Sequence, residues 1–157
     1  MNIKNYPTKL ALASVALISA VGFAPSAIAE DIIFNGTVTA SCEFSNTVNG
    51  VLEENTAKNG LVTTTVGTTN LTCNQANSTL TVNAINPAGS NPTSTTNTPD
   101  VTIAGAGSGN ISAIGGNVST LGLGVNNITA NITANVASGV IPAGDYSYTL
   151  VLTANAN

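Results

Sequence analysis

Residues 32–44 read Ile-Ile-Phe-Asn-Gly-Thr-Val-Thr-Ala-Ser-Cys-Glu-Phe, and this stretch decides how the chain is understood. Every second position, Ile32, Phe34, Gly36, Val38, Ala40, Cys42 and Phe44, is without a polar side chain, while Asn35, Thr37, Thr39, Ser41 and Glu43 fall between them. Successive side chains of a strand point to opposite faces, so a period of two predicts a first strand with one face toward a core.

On the N-terminal side, Lys4 and Lys9 precede an apolar run over 10–23, which leads through Pro25 to Ala27-Ile28-Ala29. A positive flank, a short apolar run and Ala-x-Ala are the parts of a secretory signal peptide, expected over 1–29 with cleavage between Ala29 and Glu30. A run of about 14 apolar residues is short of the ~20 that span a bilayer. No later stretch is long and apolar enough to span, so no membrane insertion is expected after cleavage. The expected location is outside the cell or on its surface, reached through the periplasm.

Residues 30–157 then form one expected domain. Within it Lys58 stands against Glu30, Asp31, Glu43, Glu53, Glu54, Asp100 and Asp145, one cation against seven anions and a side-chain charge of −6. Nucleic acid and anionic membrane surfaces are bound through clustered Lys and Arg, so neither is an expected partner.

Composition also narrows the chemistry. The chain has no His, no Arg and no Trp, and its one Met is the initiator. A Ser-His-Asp or Cys-His arrangement cannot be built, nor can a His-containing zinc site. Two carboxylates are enough for a glycosidase. Glu53 and Glu54, however, are neighbours in a polar stretch that reads as a solvated loop, and Asp100 and Asp145 sit among turn formers. In Gly105-Ala106-Gly107-Ser108-Gly109-Asn110 the third glycine of a dinucleotide fingerprint is replaced by Asn110, and no Lys follows to make a phosphate loop. No catalytic residue, cofactor or metal is expected, and the chain does not read as an enzyme.

Cys42 and Cys73 are the only cysteines, and both fall in the exported portion, so an intramolecular disulfide is expected. Closing a loop of about 30 residues is worth roughly 3 to 4 kcal/mol in the chain-entropy model. Cys42 shares the apolar face of its strand and Cys73 shares parity with Leu71, so the bond is expected to join two strands across the core.

Beyond Phe44 the chain alternates between short strands and turns. Strands are expected near 48–52, over 61–66 and through Cys73, and over 78–85 with Leu80, Val82 and Ala84 inward. Asn, Pro, Ser and Thr over 86–100 read as a long exposed loop. Short strands are expected at 101–103 and 110–114, then alternation through Leu121, Leu123 and Val125, and again from Ile128 to Val136. Pro142-Ala143-Gly144-Asp145 turns the chain into a last strand, 146–154, with Tyr148, Leu150 and Leu152 inward. Without a credible helix after residue 29, this predicts an all-β sandwich of about seven to nine strands.

Three pieces of the chain resemble the spore coat protein U family and the related archaic chaperone-usher pilins. They are Ser41-Cys42-Glu43-Phe44 after the alternating stretch, Leu71-Thr72-Cys73-Asn74 before Leu80-Thr81-Val82, and Ala143-Gly144-Asp145-Tyr146-Ser147-Tyr148-Thr149-Leu150 running on to Thr153. The resemblance implies an immunoglobulin-like, possibly incomplete sandwich that lacks its last strand. It implies a periplasmic chaperone and an outer-membrane usher as partners, and other copies or related pilin subunits as neighbours in a fibre. Ile32, Phe34 and Val38 would then be donated into a neighbour's groove. The other reading makes the same residues the protein's own first strand, since only Glu30 and Asp31 precede them. A self-contained adhesive or glycan-binding module, contacting its target through 86–100, is the alternative function.

Overall fold

The computed structural model describes residues 33–89 and 95–157. The expected signal segment, the cleavage point between Ala29 and Glu30, and Ile32 lie outside those residues. The folded unit is Thr37–Asn157, and 33–36 group with the segment before them.

The unit is all-β. Its first sheet begins with one long hairpin whose two legs are each interrupted once. The outer leg is β1 (Cys42–Val48) followed by β2 (Val51–Glu54), and the returning leg is β3 (Gly60–Thr65) followed by β4 (Gly67–Cys73). Pairing runs from Glu54 against Leu61 at the turn to Cys42 against Cys73 at the far end. Asn55 builds the turn: its carbonyl accepts from Lys58 N, its side-chain oxygen accepts from Asn59 N, and Lys58 takes the left-handed conformation at φ 56°. The outer leg breaks at Asn49-Gly50, where a Cβ on Gly50 would lie 2.8 Å from the Thr65 carbonyl, so the legs approach too closely there for any other residue.

The chain then alternates between two sheets. β5 (Ser78–Gly89) belongs to the second sheet, β6 (Thr95–Gly105) and β7 (Gly109–Ile111) to the first, and β8 (Asn117–Leu121) again to the second. β9 (Gly124–Val136) is the central strand of the first sheet. It pairs with β4 and then β3 along one edge and with β6 along the other. β10 (Tyr146–Asn155) pairs with β5, giving the second sheet the order β10-β5-β8. All pairings are antiparallel, and the two sheets share a core in a sandwich-like arrangement. Leu71, Val101, Ile103 and Ile128 from the first sheet meet Leu80, Val82 and Leu121 from the second.

Several expectations need correction. Of the opening alternating stretch only 42–44 is strand; 33–41 carry none, and Phe34 is 92% exposed and Val38 85%. The reason is the length of the partner: β4 ends at Cys73, opposite Cys42, and past it only the Asn74 N–H reaches the backbone upstream, at the Ser41 carbonyl. Cys42–Cys73 is bonded as expected, but between directly opposed residues of neighbouring strands of one sheet rather than across the core. The supposed loop 86–100 is largely strand, β5 running to Gly89 and β6 starting at Thr95, with Pro99 fully buried. The expected strand over 48–52 contains the Asn49-Gly50 break. In β5 a bulge opposite Val151 and Leu152 shifts the parity after Val82, so Ile85 is buried and Ala84 only half-buried. Leu121, Leu123 and Val125 do not share a strand, because the chain changes sheets between them, leaving Leu123 and Val125 exposed. Ten strands are described rather than seven to nine, the surplus coming from the two interrupted legs and the short β7.

Thr69, Ser78 and Asn126 are the buried polar residues among those described. Asn126 is fully buried at the point where the chain passes from β8 to β9. Its side-chain oxygen accepts from Gly122 N at 3.0 Å, and its amide donates to the carbonyls of Gly122, Gly124 and Leu71 at 3.0 to 3.2 Å. Buried polar groups left without partners cost about 1–3 kcal/mol each. Asn126→Ala is therefore expected to lower the free energy of urea unfolding by roughly 2 to 4 kcal/mol. Replacing Cys42 and Cys73 together by Ser is expected to cost about 3 kcal/mol in the same measurement, since the unfolded chain regains the freedom of the closed loop.

Candidate functional site

Among the described residues the second sheet stops at β10, and the outer leg β1/β2 is an edge of the first. Between these two edges lies a groove enclosing about 330 Å³. β9 forms its floor with Ile128, Ala130 and Ile132. Val48 and Leu52 form one wall, Leu150 and Leu152 the other. An engineered apolar cavity of about 150 Å³ accepts a benzene molecule, so this volume accommodates two or three apolar side chains.

Sequence and strand geometry together explain why the groove is apolar. Ile128, Ala130 and Ile132 are alternate residues of β9 and point to the inner face of the sheet. Leu150 and Leu152 do the same from β10, yet both stay half-buried because no strand covers that side among the described residues. Val48 and Val51, beside the Asn49-Gly50 break, are 59% and 49% exposed. The other edges differ: β7 has three residues, and β8 is Asn-Val-Ser-Thr-Leu with Asn117, Ser119 and Thr120 exposed. Short or polar edges resist pairing with another chain, whereas a long edge with an apolar flank invites it.

No carboxylate or amine lines the groove. Glu53 and Glu54 lie exposed on β2, Asp100 lies exposed on β6 and accepts from Asn110 Nδ2 at 2.6 Å, and Asp145 lies exposed in the turn before β10. Among the described residues no three His, Cys, Asp or Glu side chains cluster in a way that would hold a metal ion. The arrangement suits the burial of an apolar strand, and the polar side chains beside it are threonines, Asn49 and Tyr148.

Among the described residues, Asn74 anchors the segment leading into β1. Asn74, the residue after Cys73, accepts from Ser41 N on its side-chain oxygen at 2.7 Å and donates from Nδ2 to the Thr39 carbonyl at 2.8 Å. Its own N–H donates to the Ser41 carbonyl at 3.0 Å. The C-terminus reaches the same turn: Asn157 Nδ2 donates to Asn77 O and to Thr79 Oγ1, and Gln75 Nε2 donates to Asn157 O. Of the residues singled out in the sequence, Cys42 and Cys73 are joined, and Phe34 and Val38 are exposed; none of the four lines the groove. Phe44, expected in the core, is 37% exposed. Groove residues Val48, Leu52 and Ile132 carried no sequence signal beyond ordinary strand alternation, and Asn74 was one asparagine among many. Compared with protein-family models, with curated proteins and with solved structures, the chain matches none.

Proposed function

We propose that this chain is an exported bacterial surface subunit, pilin-like, whose sandwich is completed by a strand from a neighbouring subunit, so that copies build a fibre or coat. The observation that carries this reading is the groove beside β10, which no other strand among the described residues covers, in a chain whose own apolar alternating segment takes part in no strand over 33–41.

Strand order supports it. Counting β1 with β2 and β3 with β4 as interrupted single strands and setting aside the short β7 and β8, the first sheet runs first, second, fifth, fourth, and the second sheet has the sixth strand beside the third. A constant-type immunoglobulin sandwich has strands ABED in one sheet and CFG in the other. The correspondence accounts for A to F and leaves G without a counterpart, at the position of the groove. A second immunoglobulin feature falls where this alignment puts it: Tyr146, at the start of the sixth strand, donates its hydroxyl to the Pro142 carbonyl at 2.6 Å, in the manner of a tyrosine corner.

The proposed occupant is the segment 30–41 of a second copy. Nine extended residues, 32–40, span about 30 Å at roughly 3.3 Å each, close to the length of ten-residue β10. Ile32, Phe34 and Val38 present one apolar face, and burying each is worth roughly 1.5–3 kcal/mol. Backbone pairing along β10 adds the strand-addition mode of recognition. Before assembly a periplasmic chaperone would supply a covering strand, and an outer-membrane usher would be where subunits exchange it. In this reading the protein is building material and catalyses nothing.

The test uses mature protein lacking 30–38 and a synthetic peptide of residues 30–41. The truncated protein is expected to fold as a monomer, and saturating peptide is expected to raise its melting temperature by roughly 5 to 10 °C. A peptide carrying Phe34→Asp should give less than a quarter of that shift. Intact mature protein that stays monomeric at high concentration, together with truncated protein that ignores the peptide, would overturn the reading.

A further inference from the structure

We infer that Asn49-Gly50 is a site of spontaneous deamidation, which folding leaves reactive while it protects the same dipeptide at Asn59-Gly60. Ageing molecules thereby gain a carboxylate on the wall of the groove.

Three asparagines of the chain, Asn35, Asn49 and Asn59, are followed by glycine. Asn35 lies in the stretch before β1 that carries no strand, and the comparison that matters is between the other two. The chemistry is the same at each. The peptide nitrogen of the glycine attacks the side-chain amide carbon of the asparagine, its proton passes to solvent base, a C–N bond closes an imide ring, and ammonia leaves. Water then opens the imide at either carbonyl, giving aspartate or isoaspartate. Glycine favours the first step because no Cβ obstructs the nitrogen and the backbone turns freely. What the fold controls is whether the asparagine side chain can swing onto that nitrogen and whether the peptide between the two residues can rotate.

Asn59 is denied both movements. Its side-chain oxygen accepts from Asn55 Nδ2 at 2.8 Å, its N–H donates to Asn55 Oδ1 at 3.1 Å, and its carbonyl accepts from Val136 N at 2.9 Å. Gly60 is buried, opens β3 and pairs with Asn135 of β9, and its carbonyl accepts from Asn55 N at 2.9 Å. The ring cannot close there unless the turn between β2 and β3 opens first, so reaction waits on a rare local opening.

Asn49 is placed differently. Both Asn49 and Gly50 are exposed, and they fall in the break between β1 and β2, where neither belongs to a strand. The ladders are irregular on either side of them, between Ser45 and Val48 against β4 and between Val51 and Leu52 against β3. Among the described residues the Asn49 side chain has no hydrogen-bond partner. The fold itself demands the glycine that makes Asn49 labile, since a Cβ on Gly50 would lie 2.8 Å from the Thr65 carbonyl.

The product alters the groove. None of the side chains lining it is charged, and Asn49 is one of them. A carboxylate at this position is costlier to bury than the amide it replaces. Isoaspartate also lengthens the main chain by one carbon, beside a glycine already set against the backbone of Thr65 and Gly67. Aged molecules are therefore expected to take up an apolar strand less readily than fresh ones. That consequence rests on the proposed strand donation, whereas the modification does not.

The test uses mature protein, taken as monomers from size-exclusion chromatography so that no second copy covers the groove. It is incubated at mildly alkaline pH, in buffer and in urea that unfolds it, and each Asn-Gly site is followed by peptide mass spectrometry. In urea Asn49 and Asn59 are expected to react at comparable rates. In buffer Asn59 is expected to slow by roughly tenfold or more, while Asn49 stays within about threefold of its unfolded rate. The product at Asn49 is expected to be a mixture of aspartate and isoaspartate, the signature of an imide opened at both carbonyls. Asn49→Gln, whose longer side chain closes the ring poorly, should leave that position unmodified. Folding that slows Asn49 as much as Asn59, or aspartate formed there without isoaspartate, would overturn the inference. Truncated protein that ignores the 30–41 peptide would remove strand donation and leave this reaction standing.

Discussion

Leu150 and Leu152 of β10 face Ile128 and Ile132 of β9 across about 330 Å³ of unfilled space, and the rest of the molecule is arranged around that gap. Apolar side chains on a sheet edge are stabilised only when another element covers them, and an uncovered edge pairs with whatever strand arrives. β5 covers one side of β10 over nearly its whole length. Among the described residues no strand pairs with its other edge. The outer leg β1/β2 stands opposite, and its break at Asn49-Gly50 helps hold the groove open by exposing Val48 and Val51 rather than folding them in.

The core that supports this groove is small. Its main cluster is nine buried residues, aliphatic apart from Cys73, with no aromatic among them. Aromatic side chains bury the largest areas per residue, so their absence from this cluster moves the burden of stability to other interactions. The disulfide closes the long hairpin at its open end, Asn126 fastens the passage from β8 to β9, and β9 is paired along both edges through most of its length. Tyr146 and Tyr148 pack instead against the second cluster of Leu61, Ala134 and Ile141, near the mouth of the groove. Covering the groove from outside would add apolar burial where the chain by itself has least.

Much of the fold was legible because strands write their orientation with a period of two. β9 from Ile128 onward, the inward set of β10 and the opening of β5 all follow from alternation. The failures have particular causes. At 32–44 alternation correctly marked a strand-like segment but could not say that its ladder partner stops at Cys73. At 86–100, Pro, Asn and Thr suggested a loop, yet Pro99 sits in β6 opposite Ile132, and backbone pairing with β9 overrides the composition. Leu121 and Leu123 shared a parity that a change of sheet made meaningless. The groove was less legible still, because its walls come from β1/β2, β9 and β10, and no local pattern announces which edge the chain leaves uncovered. Asn74 and Asn126 were hidden by abundance: in a sequence rich in asparagine, the one whose side chain holds Thr39 and Ser41 and the one whose side chain holds Gly122, Gly124 and Leu71 look like all the others.

The disulfide and Asn74 act on the same point of the fold. A bond between directly opposed residues at the very end of a hairpin does little to fix the relation of the two sheets, since β1 and β4 are already neighbours. What it does fix is the point where the chain enters β1, and Asn74, the residue after Cys73, extends that hold through its side chain to Ser41 and Thr39.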